Sequence, residues 1–248
     1  DKDKERHLLP TLKHFAAYGI SEGGHNGGSA HIGVRELNSE LLPPFFAAIN
    51  SGAALVMTSY NEIDGTPCTM NPYLLKHVLR DKWNFNGIVI SDLHSISGLT
   101  SHTTAKDLKQ AAEKSIMAGV DMDLSATDFF NNLSNVDTNR LNEAVRRVLT
   151  KKFECGLFDN PYITQEWQED KENDSLAYDV AKEGIVLLEN KADFLPLNKE
   201  KPQKIAVIGP NANSVYNLLG DYTAPQPQGK VITIYNGIKT YENKDIKI

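Results

Sequence analysis

The sequence has only two cysteines and no long apolar run. Cys68 and Cys155 lie far apart and have no neighbours at metal-ligand spacing, so neither a disulfide framework nor a zinc site is expected. Every uninterrupted apolar run falls well short of the ~20 residues that cross a bilayer, so no membrane span is expected. The N-terminal stretch DKDKERH is too polar for a signal peptide, but a mature secreted protein would look the same.

Basic residues are not concentrated anywhere in the chain. The 248 residues include 26 Lys and Arg against 32 Asp and Glu, for a net charge of −6. Scattered basic residues with an acidic balance give no electrostatic footprint for nucleic acid. The turn IGPNAN has one glycine where a dinucleotide fingerprint needs three, so no nucleotide cofactor is expected.

Four short apolar runs, each followed by polar residues, recur through the first part of the chain. They predict strands at Leu8–Leu12, Ala53–Met57, Ile88–Ile90 and Gly119–Met122. Amphipathic helices are predicted at Arg35–Asn50 with a bend at its two prolines, from Asn71 onward, at Ala105–Ala118 and at Asn139–Phe153. Such alternation predicts a parallel sheet covered on both faces. Four units make either half of an eight-stranded barrel or an open four-stranded sheet.

A second α/β unit is predicted after the last of these helices. A helix at Ser175–Gly184 leads into an apolar run at Ile185–Leu188, and a further strand is predicted at Lys204–Ile208. Asn211–Leu219 predicts another helix. We therefore predict a first part at 1–156, which is either the half barrel or the open sheet, a linker at 157–190, and the truncated N-terminal part of a second domain at 191–248.

Polar residues follow the predicted strands, where parallel barrels gather their catalytic groups. From the pattern alone, His14 could be a core histidine, Tyr60 a packing aromatic and Asp92 a helix cap. Their convergence on one rim favours a functional site. The rim residues are Lys13, His14, Ser59, Tyr60, Asn61, Ser91, Asp92, Asp121 and Asp123.

Seven segments form a specific pattern: LKHFAAYG, SEGGHNGGSAHIGVREL, LLPPFFAAINSGAALVMTSYNEIDGTPCTMNPYLLKHVLR, WNFNGIVISD, AGVDMDL, AVRRVLTKKFECGLFDNP and KIAVIGPNAN. In this order and spacing they resemble glycoside hydrolase family 3, over about Leu12 to Ile238. The resemblance implies an α/β fold. It would comprise the C-terminal half of a (β/α)8 TIM-like barrel followed by the start of an α/β sandwich domain.

The resemblance implies a retaining, exo-acting β-glycosidase, with β-glucosidase ahead of β-xylosidase, acting on β-linked oligosaccharides or glycosides. Asp92 matches the nucleophile that forms a covalent glycosyl-enzyme. Lys13 and His14 match a pair that donates hydrogen bonds to sugar hydroxyls in the −1 subsite, and the charge of Lys13 would favour ionised Asp92. Tyr60 matches a tyrosine that orients the nucleophile. Two carboxyl groups suffice for this chemistry, so no cofactor or metal is expected.

Parts of the expected machinery are not found in this sequence. The resemblance places the acid/base Glu beyond Ile248 and further −1 subsite residues before Asp1, so the polypeptide alone is expected to be inactive. Leu93 stands where many relatives have a tryptophan that stacks on the leaving-group sugar. A periplasmic or secreted location is expected, with a cytoplasmic one left open, and the oligomeric state is not predicted.

Other polar residues receive different interpretations. We interpret Asp121 and Asp123 as structural, hydrogen-bonded to loop backbone. The glycine-rich loop contributes candidate substrate contacts at His25, Asn26 and His31. Two alternatives to the enzyme stay open: a truncated or non-catalytic carbohydrate-binding relative, and an unrelated open α/β binding protein.

Overall fold

Parallel strands organise the first part of the chain in the computed structural model, which describes residues 8–162, 172–220, 222–227 and 229–248. The strands are β1 (Thr11–Phe15), β2 (Ser29–Ala30), β3 (Leu55–Thr58), β4 (Glu62–Ile63), β5 (Thr66–Pro67), β6 (Ile88–Ile90), β7 (Gln203–Lys204) and β8 (Ile246–Lys247). The central sheet has the order β1-β3-β6, with every pair parallel. A second, small sheet has the order β2-β4-β5, in which β2 pairs parallel with β4 and β4 pairs antiparallel with β5.

The helices follow the strands as a β-loop-α pattern requires. They are α1 (Val34–Glu36), α2 (Pro43–Asn50), α3 (Gly98–Ser101), α4 (Leu108–Ala118), α5 (Asp128–Asn132), α6 (Thr138–Glu154), α7 (Glu172–Glu183), α8 (Val215–Leu219) and α9 (Ile234–Lys239). Two π-helical stretches, Leu37–Leu41 and Tyr73–Lys82, complete the units after β1 and β3. By its contacts the chain divides into a unit Asp1–Glu166 and a unit Trp167–Ile248. The boundaries at 156 and 190 stay a prediction.

The first strand lies three residues later than predicted. The prediction Leu8–Leu12 was wrong because Pro10 has no N–H to donate to a ladder. The Pro10 carbonyl instead accepts the N–H groups of Ala54 and Leu55. Pairing between backbones therefore begins at Thr11, so that Lys13 and His14 lie within β1 rather than after it.

The fourth apolar run, Gly119–Met122, does not form the predicted strand. A single parallel bridge joins Met122 to Ile90. The Val89 N–H donates to the Asp121 carboxylate (3.0 Å) instead of a backbone carbonyl, which interrupts the ladder. The run still lies beside β6, because the N–H groups of Asp121 and Met122 both donate to the Val89 carbonyl.

The predicted helix Arg35–Asn50 is broken at its prolines, as expected. Pro43 and Pro44 occupy the first turn of α2, where a helix has no intrahelical partner for its N–H groups. The preceding turn is wide, since the Leu42 N–H donates to the Leu37 carbonyl five residues earlier (3.0 Å). The π-helical stretch and α2 therefore meet at Leu42, directly before the two prolines.

Local capping explains the bounds of the two longest helices of this unit. Asp107 precedes α4 and Asp137 precedes α6, and each carboxylate accepts a backbone N–H from the first turn. Gly119 ends α4 with a φ of 132°, and a Cβ there would lie 2.9 Å from Leu75. Only glycine fits this close approach without displacing its neighbour.

The core lies between the sheet and the π-helix Tyr73–Lys82. Phe15, Val56 and Val89 from the three strands are fully buried, as are Leu75 and Leu79 from the helix. Each such side chain stabilises the fold by about 1.5–3 kcal/mol relative to exposure. This packing fixes the strand ends, from which the functional groups project.

The second unit, considered by itself, pairs β7 with β8 in parallel. Its first strand is shorter than the predicted Lys204–Ile208, and Ile185–Leu188 is not a strand in the part of the chain that the structure describes. An apolar run becomes a strand only where a neighbour completes its hydrogen bonds, and Leu188 is 92% exposed. Among the described residues no helix is both long and apolar enough to cross a bilayer.

Candidate active site

Asp92 stands just beyond the end of β6, and the surrounding protein encloses its carboxylate. The residue is only 8% exposed. Its Oδ1 accepts the Leu93 N–H (2.7 Å) and the Tyr60 hydroxyl (3.0 Å). Its Oδ2 lies 3.2 Å from His14 Nε2. Three segments that are distant in the sequence therefore meet at one carboxylate.

His14 reaches Asp92 from β1 and is itself largely enclosed. Its ring centroid lies 4.5 Å from that of Tyr18. Burial lowers the pKa of His14 below 6.5, which outweighs the raising effect of Asp92, and the charge of Lys13 lowers it further. The ring is therefore neutral at neutral pH.

Tyr60 lies two residues beyond β3 and contacts both Asp92 and the residue after it. Its hydroxyl is 3.0 Å from Asp92 Oδ1 and 2.7 Å from the Leu93 carbonyl. A phenol has one hydrogen, so these two acceptors share it. Lys13 is exposed on β1, close enough for its charge to act on His14.

The glycine-rich loop contributes one of its three candidates to this neighbourhood. Asn26 and Gly27 line a cleft of about 280 Å³ together with Tyr60 and His102. His31 instead lies at the surface, 3.5 Å from Glu22 and 3.7 Å from Asp64. His25 does not line the cleft, so Asn26 is the candidate that the structure brings to Tyr60.

Comparison with known proteins decides the family. Residues 2–151 match the model of the Glycosyl hydrolase family 3 N terminal domain, and residues 185–247 match that of the Glycosyl hydrolase family 3 C-terminal domain. This chain belongs to glycosyl hydrolase family 3. The predicted family is confirmed, and the alternative of an unrelated open α/β binding protein is excluded.

Individual relatives of this family 3 chain include glucosidases and xylosidases. It is 34% identical to the periplasmic beta-glucosidase of Salmonella typhimurium over 97% of this chain and 33% of that one. It is 35% identical to a beta-xylosidase of Formosa agariphila over 98% of this chain and 37% of that one. The chain thus spans about a third of the length of the curated relatives it matches.

Solved structures resemble the fold as well as the sequence. A beta-glucosidase from Listeria innocua in complex with gluconolactone matches 99% of this chain and 35% of its own, with a TM-score of 0.71 and 32% identity. The predicted fold class is confirmed by this likeness. It is α/β, with part of a TIM-like barrel followed by part of an α/β sandwich domain.

Asp123 has the structural role that we expected for it in this family 3 chain. Its carboxylate accepts the N–H groups of Ser125 (2.9 Å), Asp128 (2.8 Å) and Phe129 (3.1 Å). The Ser91 hydroxyl donates to the same carboxylate. These bonds close the loop that runs beside Asp92.

Asp121 is also structural, but its main partners are not loop amides as we expected. Its buried carboxylate accepts from Arg80 (2.7 Å), Arg140 (2.8 Å) and Arg147 (2.8 Å), as well as from the Val89 N–H. Burial lowers the pKa of Arg80 to about 10, against the raising effect of Asp121. The cluster joins β6 to the π-helix and to α6.

Two residues near Tyr60 were missed by the sequence analysis. The ring of His102 donates to the Tyr60 carbonyl (3.1 Å) and lies 3.7 Å from Glu62. Glu62 directly follows the polar stretch after β3 and could have been included on that ground. His102 carried no signal, because its position depends on how the segment after α3 folds back toward β4.

Ser59 and Asn61 belong to the supporting structure instead of the rim surface. Both are buried, and the Ser59 hydroxyl donates to the Asn61 side chain. The Asn61 amide donates to the Ala16 carbonyl (3.2 Å), which fixes the loop after β3 to the end of β1. Within the described part of the chain, no group of three His, Cys, Asp or Glu could hold a metal ion.

Proposed function

We propose that this chain carries the nucleophile of a retaining, exo-acting β-glycosidase, with β-glucosidase activity first and β-xylosidase activity second. The observation that carries the proposal is the Asp92 carboxylate, enclosed at a strand end and contacted by His14, Tyr60 and the Leu93 amide. A buried carboxylate with this many donors is held in one orientation, as a nucleophile must be.

In the first step Asp92 attacks the anomeric carbon of the terminal sugar. A carboxylate oxygen forms the new C–O bond while the glycosidic C–O bond breaks, and a second carboxylic acid protonates the departing oxygen. In retaining enzymes this acid lies about 5 to 5.5 Å from the nucleophile. We place it outside this chain, as the family resemblance implies. Water then cleaves the glycosyl ester and returns Asp92 as a carboxylate.

The contacts of Asp92 serve both steps. Hydrogen bonds from Tyr60 and the Leu93 N–H stabilise the ionised carboxylate, which attacks first and departs second. When the glycosyl ester forms, the oxygen loses most of its charge, and the Tyr60 hydrogen can remain with the Leu93 carbonyl. The tyrosine therefore has a partner in both states.

Lys13 and His14 are the proposed contacts to hydroxyls of the −1 sugar. A Lys ammonium offers three donors and no acceptor. The neutral His14 ring carries one N–H, which can donate to a sugar hydroxyl bound beside Asp92. Two donors side by side suit the oxygens of neighbouring sugar hydroxyls, which accept.

The relatives support both sugars and an extracytoplasmic location. The Salmonella relative is named a periplasmic beta-glucosidase and the Formosa relative a beta-xylosidase. The Listeria structure is that of a beta-glucosidase with gluconolactone bound. We propose β-linked glycosides as substrates and a periplasmic or secreted location on this basis.

Covalent trapping in the intact protein tests the proposal. Incubation with 2-deoxy-2-fluoro-β-glucosyl fluoride and, separately, its xylosyl counterpart should label the peptide that contains Asp92, as read by mass spectrometry. The faster label identifies the preferred sugar. The Asp92→Asn variant is the control and should remain unlabelled. A label on another peptide would refute the assignment, and unchanged sugar binding without any label would favour a non-catalytic carbohydrate-binding relative.

A further inference from the structure

We propose that His102 and Glu62 position Tyr60, and through it the nucleophile Asp92. They do so through a series of side-chain contacts that begins in the glycine-rich loop. This inference rests on the proposed function of Asp92. It assigns His102 and Glu62 as positioning residues, since neither contacts Asp92. This series of contacts runs from Ser29 through Glu62 and His102 to the Tyr60 backbone.

The last contact of this series is a hydrogen bond from His102 to the backbone of Tyr60. His102 Nε2 lies 3.1 Å from the Tyr60 carbonyl oxygen. A carbonyl oxygen only accepts, so Nε2 carries the hydrogen and His102 is the donor. The same tyrosine directs its hydroxyl to Asp92 Oδ1. The backbone and the hydroxyl of Tyr60 are therefore both fixed, at opposite ends of the residue.

The middle link orients the histidine ring. Glu62 Oε2 lies 3.7 Å from His102 Nδ1, and the two side chains are 17% and 18% exposed. At 3.7 Å this contact is longer than a hydrogen bond, so Glu62 acts on the ring as a nearby negative charge. The opposite ring nitrogen, Nε2, is the one that meets the Tyr60 carbonyl.

The first link joins the pair to the glycine-rich loop. The Ser29 hydroxyl donates to Glu62 Oε1, and the two residues face each other in the parallel pairing of β2 with β4. The loop that ends in β2 also places Asn26 and Gly27 at the cleft beside Tyr60. The position of this loop is thus mechanically linked to the residue that holds the nucleophile.

The positioning of Tyr60 by His102 and Glu62 affects the rate of the reaction more than the binding of the sugar. Catalytic groups must be held within ~0.5 Å of their productive geometry, and small displacements remove transition-state stabilisation. Without the donor at His102, the segment between β3 and β4 loses a restraint, and the hydroxyl of Tyr60 shifts relative to Asp92. The −1 sugar contacts proposed for Lys13 and His14 lie on β1 and are untouched.

A double-mutant cycle in the intact protein tests the inference. Tyr60→Phe, His102→Leu and the double variant are assayed for kcat and KM on a nitrophenyl β-glycoside. We expect Tyr60→Phe to lower kcat by roughly tenfold to hundredfold and His102→Leu by about tenfold, with KM changed by less than about twofold. The double variant should be no slower than Tyr60→Phe, because His102 acts through the Tyr60 hydroxyl. His102→Gln keeps a donor near the Nε2 position and should restore most of the rate.

Controls separate the possible failures. His77→Leu removes a histidine that is 61% exposed on another helix, and it should leave kcat unchanged. The inference is overturned if the effects of His102→Leu and Tyr60→Phe on kcat multiply in the double variant. It is also overturned if His102→Leu lowers the melting temperature while kcat stays normal. Asp92→Asn is measured in parallel: if it keeps its activity, the proposed function fails instead. If Asp92→Asn loses its activity while the kcat effects of His102→Leu and Tyr60→Phe multiply, only the positioning role of His102 is refuted.

Discussion

Asp121→Asn would remove a buried negative charge that contacts three arginine side chains. The carboxylate has no exposed side-chain surface, and Arg140 is only 7% exposed. An asparagine of the same size accepts with one oxygen only, so several donors of Arg80, Arg140 and Arg147 would lose their partner. Removing one member of a buried ion pair costs about 3–5 kcal/mol, because the remaining charge is left uncompensated.

The size of the expected shift follows from this loss. For a domain of about 150–250 residues each kcal/mol lowers the melting temperature by roughly 2–4 °C. Asp121→Asn should therefore lower the melting temperature of the unit by roughly 6–20 °C, as measured by calorimetry. The matched control is Asp81→Asn, since the Asp81 side chain is 70% exposed and should shift the melting temperature by less than about 1 °C. A similar melting temperature for Asp121→Asn and the wild type would refute the view that this carboxylate holds the arginine cluster together.

Three further predictions concern the site itself. Tyr60→Phe removes a hydrogen bond to a charged group, which is worth about 1.5–3 kcal/mol, so kcat should fall roughly tenfold to hundredfold in steady-state assays with little change in the melting temperature. The pKa of His14 is lowered by burial, so between that value and 6.5 the unfolded chain binds a proton that the folded chain does not. Stability should therefore fall as the pH drops below 6.5, and His14→Gln should lose less melting temperature than the wild type between pH 7.5 and 5.5. Leu93 is 49% exposed beside Asp92, and Leu93→Trp should lower the KM for a β-linked disaccharide by stacking while leaving that for an aryl monosaccharide unchanged, a result that equal KM changes for both would contradict.

Some of the site was predictable because its chemistry coincides with a local pattern. Asp92 follows an uninterrupted apolar strand, and the predicted bounds of β6 are confirmed. The prolines of α2 and the capping carboxylate before α4 are also local features, and they act within one helical turn. The sequence resemblance then assigned roles to Lys13, His14 and Tyr60, and those roles stay predictions.

Other features depend on partners far away in the chain. The start of β1 was predicted three residues early, because the deciding contact of Pro10 is with Ala54 and Leu55 across the sheet. The strand predicted at Gly119–Met122 fails because a side chain, that of Asp121, takes a backbone donor of β6. Apolar periodicity carries no information about either contact.

By itself, the sequence determined the alternation of the central strands β1, β3 and β6 with helices, the family, and the carboxylate at the end of β6. Only the tertiary structure decided which groups meet that carboxylate. His14 and Tyr60 reach Asp92 from other strands, and His102 supports Tyr60 from a segment 42 residues away. The physical reason is range: helix caps and strand patterns arise from neighbours in the sequence, whereas hydrogen bonds between strand ends exist only after the sheet has brought distant residues together.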